Sequence, residues 1–251
     1  MAKRVAIEFR GVSKSYKIGR HKYGTLADRV GDLFKKTESQ QKFWAVRSLN
    51  LEIKAGTTLG IIGKNGSGKS TILKLISKIV YPDSGFIKTN GRIGAFIELG
   101  AGLHPELSGR ENIYLYGSIL GMKKKEIAER FDNIVAFAEI HKFLDMPIKR
   151  YSSGMYSRLG FSVCVFCDPD VLLVDEVLAV GDTNFQAKCL AKMESFAKSD
   201  KTVVFVSHDL KAIKKICSEV ILLDHGRIKM IGEPSKVINA YLEKYSEKSL
   251  E

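Results

Sequence analysis

The sequence predicts an α/β fold built on a mainly parallel sheet, and three observations carry that expectation. Apolar strand-like runs alternate with stretches of helical period along most of the chain. One of those runs, "LGIIG", passes directly into a glycine-rich turn and then a helix, the order of a parallel βαβ unit. A helical run from about residue 100 to 167 breaks the alternation and marks a subdomain set into the sheet protein.

The elements follow in order. "RVAIEFRGV" alternates polar and apolar residues as a first strand does. Residues 18–43 then depart from the rhythm. Within them Leu26, Val30, Leu33 and Phe34 fall at i, i+4, i+7 and i+8, so "TLADRVGDLFKK" predicts a short amphipathic helix with a basic end at Lys35 and Lys36. "WAVRSLNLEI" and "TTLGIIG" read as strands around a turn at Gly56. A helix is expected over 69–79, closed by the turn "YPDSG". "GFIKTNGRIGAFIEL" reads as a hairpin-like pair of strands. Helical period then holds over 108–137 and again up to about Cys167. The strand at Val171, a helix over 184–197, the strand "TVVFVS" and a helix over 209–217 come next. Two strands, "EVILLD" and "RIKMIG", and a helix from Pro234 complete the pattern.

Composition narrows the class. Of 251 residues, 45% are hydrophobic and 27% charged, the balance of an ordinary soluble globular protein. No stretch reaches the roughly 20 apolar residues of a membrane helix, and "MAKRVAIEFRG" lacks a signal-peptide core, so a cytosolic, soluble chain is expected. The net charge of +12 favours anionic partners: nucleic acid, an anionic membrane surface or nucleotides. Cys164 and Cys167 have C-x-x-C spacing, but they stand in the apolar helical stretch "GFSVCVFCD" with no second Cys or His pair nearby. Together with Cys189 and Cys217 they read as small buried hydrophobes and free thiols rather than a redox or zinc site.

The chemistry concentrates at strand ends. "GKNGSGKST", Gly63 to Thr71, matches G-x-x-x-x-G-K-[ST] between a strand and a helix. Gly63, Asn65, Gly66, Ser67 and Gly68 let main-chain N–H groups wrap phosphates, with Thr71 closing the motif at the positive end of the helix. Lys69 is placed to hold the β- and γ-phosphates, and the Ser70 hydroxyl to bind Mg²⁺. In "VLLVDE" four apolar residues bury a strand whose tip carries Asp175, a second Mg²⁺ ligand, and Glu176, a base for the attacking water. "VFVSHD" is a further apolar strand, and His208 at its tip can contact the γ-phosphate.

"YSSGMYSR", Tyr151 to Arg158, opens a helix with a polar turn. With Gly63–Thr71, Tyr151–Met155, Val171–Glu176 and His208 in this order, the chain resembles the ATP-binding cassette family. The resemblance implies a P-loop NTPase (RecA-like) core with an antiparallel β subdomain and an inserted α-helical signature subdomain at about 100–167. It makes all of 1–251 one nucleotide-binding domain that uses ATP and Mg²⁺. It identifies "YSSGM" with the family's Leu-Ser-Gly-Gly-Gln signature: Ser152 and Gly154 match, while Ser153 and Met155 replace a glycine and the glutamine. The turn, Ser152 to Gly154, is then expected to bind the ATP of a second copy in a head-to-tail homodimer. Asp182 holds the spacing of the D-loop aspartate, and Tyr16 matches the aromatic that stacks on adenine. The Q-loop departs from the pattern, because "RIGAFIELGAGLHPELSGREN" has no glutamine; Leu99 or Glu98 stands at its place.

The insertion at about 18–43, the phrase "ELGAGLHPELSGRENIYL", and "YSSGM" followed by "DEVLAVGDTNFQAKC" are similar to the ATP-binding subunits of lipid-linked polysaccharide exporters. O-antigen cargo fits best, with capsule or teichoic acid as alternatives. That resemblance implies a transmembrane permease dimer as partner, which handles the lipid-linked polysaccharide, and a peripheral place on the cytoplasmic face of the inner membrane. It also implies a gate helix in the insertion, for which a solvent-facing decoration is the alternative. A C-terminal carbohydrate-binding domain is not expected. The competing reading is a nucleic-acid-associated ATPase of the same superfamily, suggested by the +12 charge.

Overall fold

The computed structural model describes residues 4–18, 41–97, 102–175 and 182–246. Two sheets share the work. Strands β1 (Val5–Ile18), β2 (Gln41–Lys54) and β4 (Ser84–Thr89) form an antiparallel sheet in the order β2-β1-β4. Strands β3 (Thr58–Ile62), β5 (Ile93–Phe96), β6 (Val171–Val174), β7 (Thr202–Val206), β8 (Glu219–Asp224) and β9 (Arg227–Gly232) form the second, in the order β5-β6-β7-β3-β8-β9. All its neighbours run parallel except the hairpin β8–β9.

The helices are α1 (Lys69–Ile76), α2 (Gly109–Ile119), α3 (Lys124–Ala138), α4 (Ser153–Phe166), α5 (Thr183–Ala197), α6 (Leu210–Ile216) and α7 (Pro234–Ser246). Side-chain alternation along the central strands explains why they are apolar without interruption. Val171 and Leu173 face one core, with β1, β2 and α1; Leu172 and Val174 face the other, with α4, α5 and α6. Both faces of a parallel sheet are covered, so each position of β6 is buried, each worth roughly 1.5–3 kcal/mol. A third apolar cluster holds α2, α3 and α4 together. Helix α2 starts with a reciprocal cap, Ser108 bonding the Glu111 N–H and Glu111 bonding back to Ser108.

Two expectations change. "GFIKTNGRIGAFIEL" is not a hairpin: β4 pairs with β1 in the antiparallel sheet, whereas β5 pairs with β6 in the parallel one. The turn between them, at Asn90 to Arg92, hands the chain from one sheet to the other, and local alternation cannot distinguish that from a reversal. The insertion is also narrower than 18–43, because β1 runs through Ile18 and β2 begins at Gln41, paired to each other. The amphipathic stretch at 25–36 lies outside the described residues.

The four cysteines are buried and free, as the sequence reading has them. Burial pushes the thiols of Cys167, Cys189 and Cys217 up to about 12, which leaves them unreactive. Among the described residues no cluster of metal-ligating side chains occurs and no helix is long and apolar enough to cross a membrane.

Candidate functional site

The parallel sheet places three loops side by side. β7 lies between β6 and β3, and all three point the same way. The tips carrying Asp175, His208 and the glycine-rich loop therefore stand next to one another at the carboxyl edge, where open α/β sheets bind ligands.

Gly63 to Thr71 forms the turn between β3 and α1. Gly68 requires its identity: its φ is 108°, and a Cβ there would stand 2.1 Å from the Ala45 carbonyl oxygen of β2. The loop thus packs directly on the antiparallel sheet. Lys69 is 7% exposed, and its ammonium donates to the carbonyls of Gly63 at 2.7 Å and Lys64 at 3.0 Å. Burial lowers its pKa, and the charge of Asp175 opposes that shift, so the two groups sense each other across the site. Asp175 is itself buried, and its N–H donates to the Phe96 carbonyl at 3.0 Å, continuing the β5–β6 ladder. Ser70, next to Lys69 in the chain, is exposed to the cleft. Ser67 Oγ is buried with no hydrogen-bond partner among the described residues, a polar atom left over inside the loop.

A cleft of about 280 Å³ opens at the loop, lined by Asn65, Gly66, Gly68, Lys69, Ser70 and Thr71, and by Tyr16, Phe43 and Ala45 from the antiparallel sheet. Tyr16 and Phe43 are directly paired across β1 and β2, 39% and 41% exposed, so two aromatic rings present free surface to the cleft. Asp83 fixes the strand before Tyr16, accepting from Lys14 Nζ at 2.8 Å and from the Ser15 N–H and hydroxyl at 2.7 Å each. The Lys14 hydrogen bond, with those from Ser15, lowers the Asp83 carboxyl to about 2. A main-chain cradle, a buried lysine, an exposed hydroxyl and an aromatic wall are the donor set of a nucleoside triphosphate site. Sequence reasoning finds Tyr16 but misses Phe43 and Ala45. Their period-2 spacing on β2 was the available signal.

The signature turn lies elsewhere. Ser152 caps α4, its Oγ accepting from the Met155 N–H at 3.2 Å, and Ser153 O accepts from the Ser157 hydroxyl at 2.7 Å. Ser152 and Ser153 are exposed, and neither they nor Gly154 line the cleft. Asp182 caps α5, accepting from the Phe185 N–H at 2.9 Å, and is ion-paired with Arg158 of α4. Arg158 also bonds Glu139 at 2.7 Å, and Lys188 pairs with that same carboxylate. This network ties the helical subdomain to α5, and Asp182 does not line the cleft. His208 follows β7 at an exposed position. Glu176, Glu98 and Leu99 lie outside the described residues.

Comparison with known proteins gives the family and the fold. The family model described as ABC transporter matches residues 46–179. The chain is 50% identical, over 202 residues, to an O-antigen export system ATP-binding protein of Myxococcus xanthus. That match covers 80% of this chain and 46% of the relative, so the chain spans about half of that relative's length. It is 42% identical over 244 residues to a teichoic acids export ATP-binding protein of Listeria innocua, covering 97% of this chain and 71% of the relative. A solved dimer of an ATP-binding cassette bound to ADP and Pi superposes with a TM-score of 0.73 at 22% identity, covering 91% of this chain and 98% of that one.

Proposed function

The chain belongs to the ABC transporter family, and on that premise we propose that it is the ATP-hydrolysing subunit of an exporter that moves lipid-linked polysaccharide, O-antigen in type, across the cytoplasmic membrane. The observation that carries the ATPase reading is the single cleft in which Lys69, Ser70 and Thr71 meet the Tyr16–Phe43 pair. The cargo rests on likeness to relatives named for O-antigen export, 50% identical in Myxococcus xanthus and 40% in Klebsiella pneumoniae, with teichoic acid export, at 42% in Listeria innocua, as the alternative cargo. None of these relatives is named for work on nucleic acid, so the reading raised by the +12 charge has no support.

In this reading Tyr16 stacks on adenine, and the N–H groups of the loop with Lys69 hold the phosphates. Ser70 and Asp175 hold Mg²⁺, which neutralises charge on the triphosphate. Glu176, one residue beyond Asp175, takes the proton of the attacking water, and His208 contacts the γ-phosphate from the neighbouring strand. Ser152, Ser153 and Gly154 bind the nucleotide of a second copy; the exposure of Ser152 and Ser153 and the place of all three outside the cleft of their own chain support that geometry. The protein then works as a homodimer on a permease dimer, peripheral to the cytoplasmic face of the membrane.

The test is made in cells. A strain whose only copy carries Lys69→Ala should retain lipid-linked polymer inside and lose surface polysaccharide. Surface polysaccharide at the parental level would reject the export function.

A further inference from the structure

Lys64, the second residue of the phosphate loop, is not among the residues lining the nucleotide cleft, yet its side chain is held. Its ammonium sits 4.4 Å from the ring centroid of Tyr245, in the last turn of α7. That ring is itself fixed. Tyr241 packs against it at 5.1 Å, and the Lys244 ammonium lies 5.2 Å from its centroid, beside the Asp224 carboxylate at the end of β8. Lys244 donates to the same carboxylate at 3.0 Å.

The main chain of Lys64 faces the other way. Its carbonyl accepts from Lys69 Nζ at 3.0 Å and from the Ser67 N–H at 3.1 Å. The turn after β8 grips the same loop from below, with the Gly226 N–H donating to the Ser67 carbonyl at 2.9 Å. The loop must keep its remaining N–H groups free for phosphate, so few contacts of its own hold residues 63–66 in place. The Lys64 side chain is the lateral tether.

We propose that Tyr245 is a positioning residue for the phosphate loop: its ring anchors Lys64, and through the Lys64 carbonyl it sets the loop that receives the triphosphate. The proposal rests on the ATP-binding reading above. α7 thereby becomes part of the nucleotide site without touching the nucleotide. An ammonium over an aromatic ring at an exposed position contributes little energy, so the effect on affinity is modest and its pattern, rather than its size, identifies it. Preorganisation acts on binding and leaves the chemical step alone.

Affinity for the fluorescent analogue mant-ATP with Mg²⁺ is measured for the parent, Tyr245→Ala, Tyr245→Phe, Lys64→Met and the Lys64→Met/Tyr245→Ala double variant, with ATPase rates at rising ATP. Tyr245→Ala should weaken binding about 2- to 5-fold and raise KM by the same factor, with kcat kept. Tyr245→Phe, which keeps the ring, should bind as the parent does. Lys64→Met should match Tyr245→Ala, and the double variant should be no weaker than either. Parental affinity in Tyr245→Ala overturns the proposal, as does a double variant in which the losses multiply, or a Tyr245→Phe variant as weak as the alanine. Should Tyr245→Ala not fold, Lys64→Met and Tyr245→Phe decide by the same criteria. A parent that binds no mant-ATP would instead reject the ATP reading itself.

Discussion

The aromatic wall of the cleft can be tested with a ligand that lacks a base. Tyr16 is 39% exposed, and an aromatic side chain carries about 200 Å² of surface, so roughly 80 Å² of the ring is left for a base to cover. At about 25 cal/mol per Å² that is ~2 kcal/mol as an upper bound, since one base does not cover all of it. Phe43, 41% exposed, offers about as much. Tyr16→Ala should therefore weaken ATP binding by about 1–2 kcal/mol, or roughly 5- to 30-fold. Phe43→Ala should lose a similar share, since its free surface is about the same. The two rings face each other across β1 and β2, so the double variant should lose less than the sum. Calorimetry with ATP and with inorganic tripolyphosphate separates the wall from the loop. The triphosphate alone reaches the loop and Lys69 but not the rings, and its affinity should stay at the parental value in all three variants. If Tyr16→Ala weakens tripolyphosphate as much as ATP, the rings are not a base platform and their effect passes through the strand. If it weakens neither, the cleft between the sheets is not where the base lies.

Three further outcomes follow from the same geometry. Gly68→Ala forces a side chain into φ 108° and against the Ala45 carbonyl, strain and overpacking of about 2–6 kcal/mol, so its melting temperature should fall by roughly 5–20 °C and nucleotide binding with it; a melting temperature matching the parent's would contradict the packing of the loop on β2. Asp83 has a folded pKa of about 2, below its unfolded value of ~3.9, so its contribution to stability is present above about pH 4 and disappears as pH falls toward 2. The melting temperatures of the parent and Asp83→Asn should differ at pH 5 and converge near pH 2; a gap that stays constant would show that Asp83 is not held by Lys14 and Ser15. Glu176→Gln should bind ATP, fail to hydrolyse it and elute as an ATP-dependent dimer in size-exclusion chromatography, whereas Glu176→Gln/Ser152→Arg should bind ATP and stay monomeric; equal dimer in both would reject binding of ATP by the signature turn of a second copy.

The parts of the site that were legible in the sequence are those whose chemistry demands particular residues in an unbroken run. A loop that wraps phosphates needs its glycines, lysine and hydroxyl at fixed spacing, and a buried parallel strand ending in an acid needs four apolar residues before it. What was not legible is set by pairing between distant segments. Phe43 is one residue in a short alternating stretch, and only its register opposite Tyr16 makes it part of the cleft. β4 and β5 stand a few residues apart with a glycine between, a hairpin by every local sign, yet each finds a better partner in a different sheet. The same holds for Lys64, whose partner Tyr245 is distant in sequence and belongs to no phosphate-binding pattern.

The placement of these contacts bears on how the domain transmits nucleotide state. The phosphate loop touches three structures at once: β2 through Gly68 and Ala45, the β8–β9 turn through Ser67 and Gly226, and α7 through Lys64. The signature turn touches none of the cleft, and its helix is joined to α5 by the pairing of Arg158 with Asp182. Asp182 immediately follows the segment that begins with Glu176. Lys69 opens α1 and Asp175 directly follows β6, both buried at the edge of the parallel-sheet core. The signature helix also rests on the core of the parallel sheet, where Phe161 packs edge-on against Phe96 at 5.5 Å and against Phe185 at 6.4 Å, so its turn is held by the same apolar layer that buries β6.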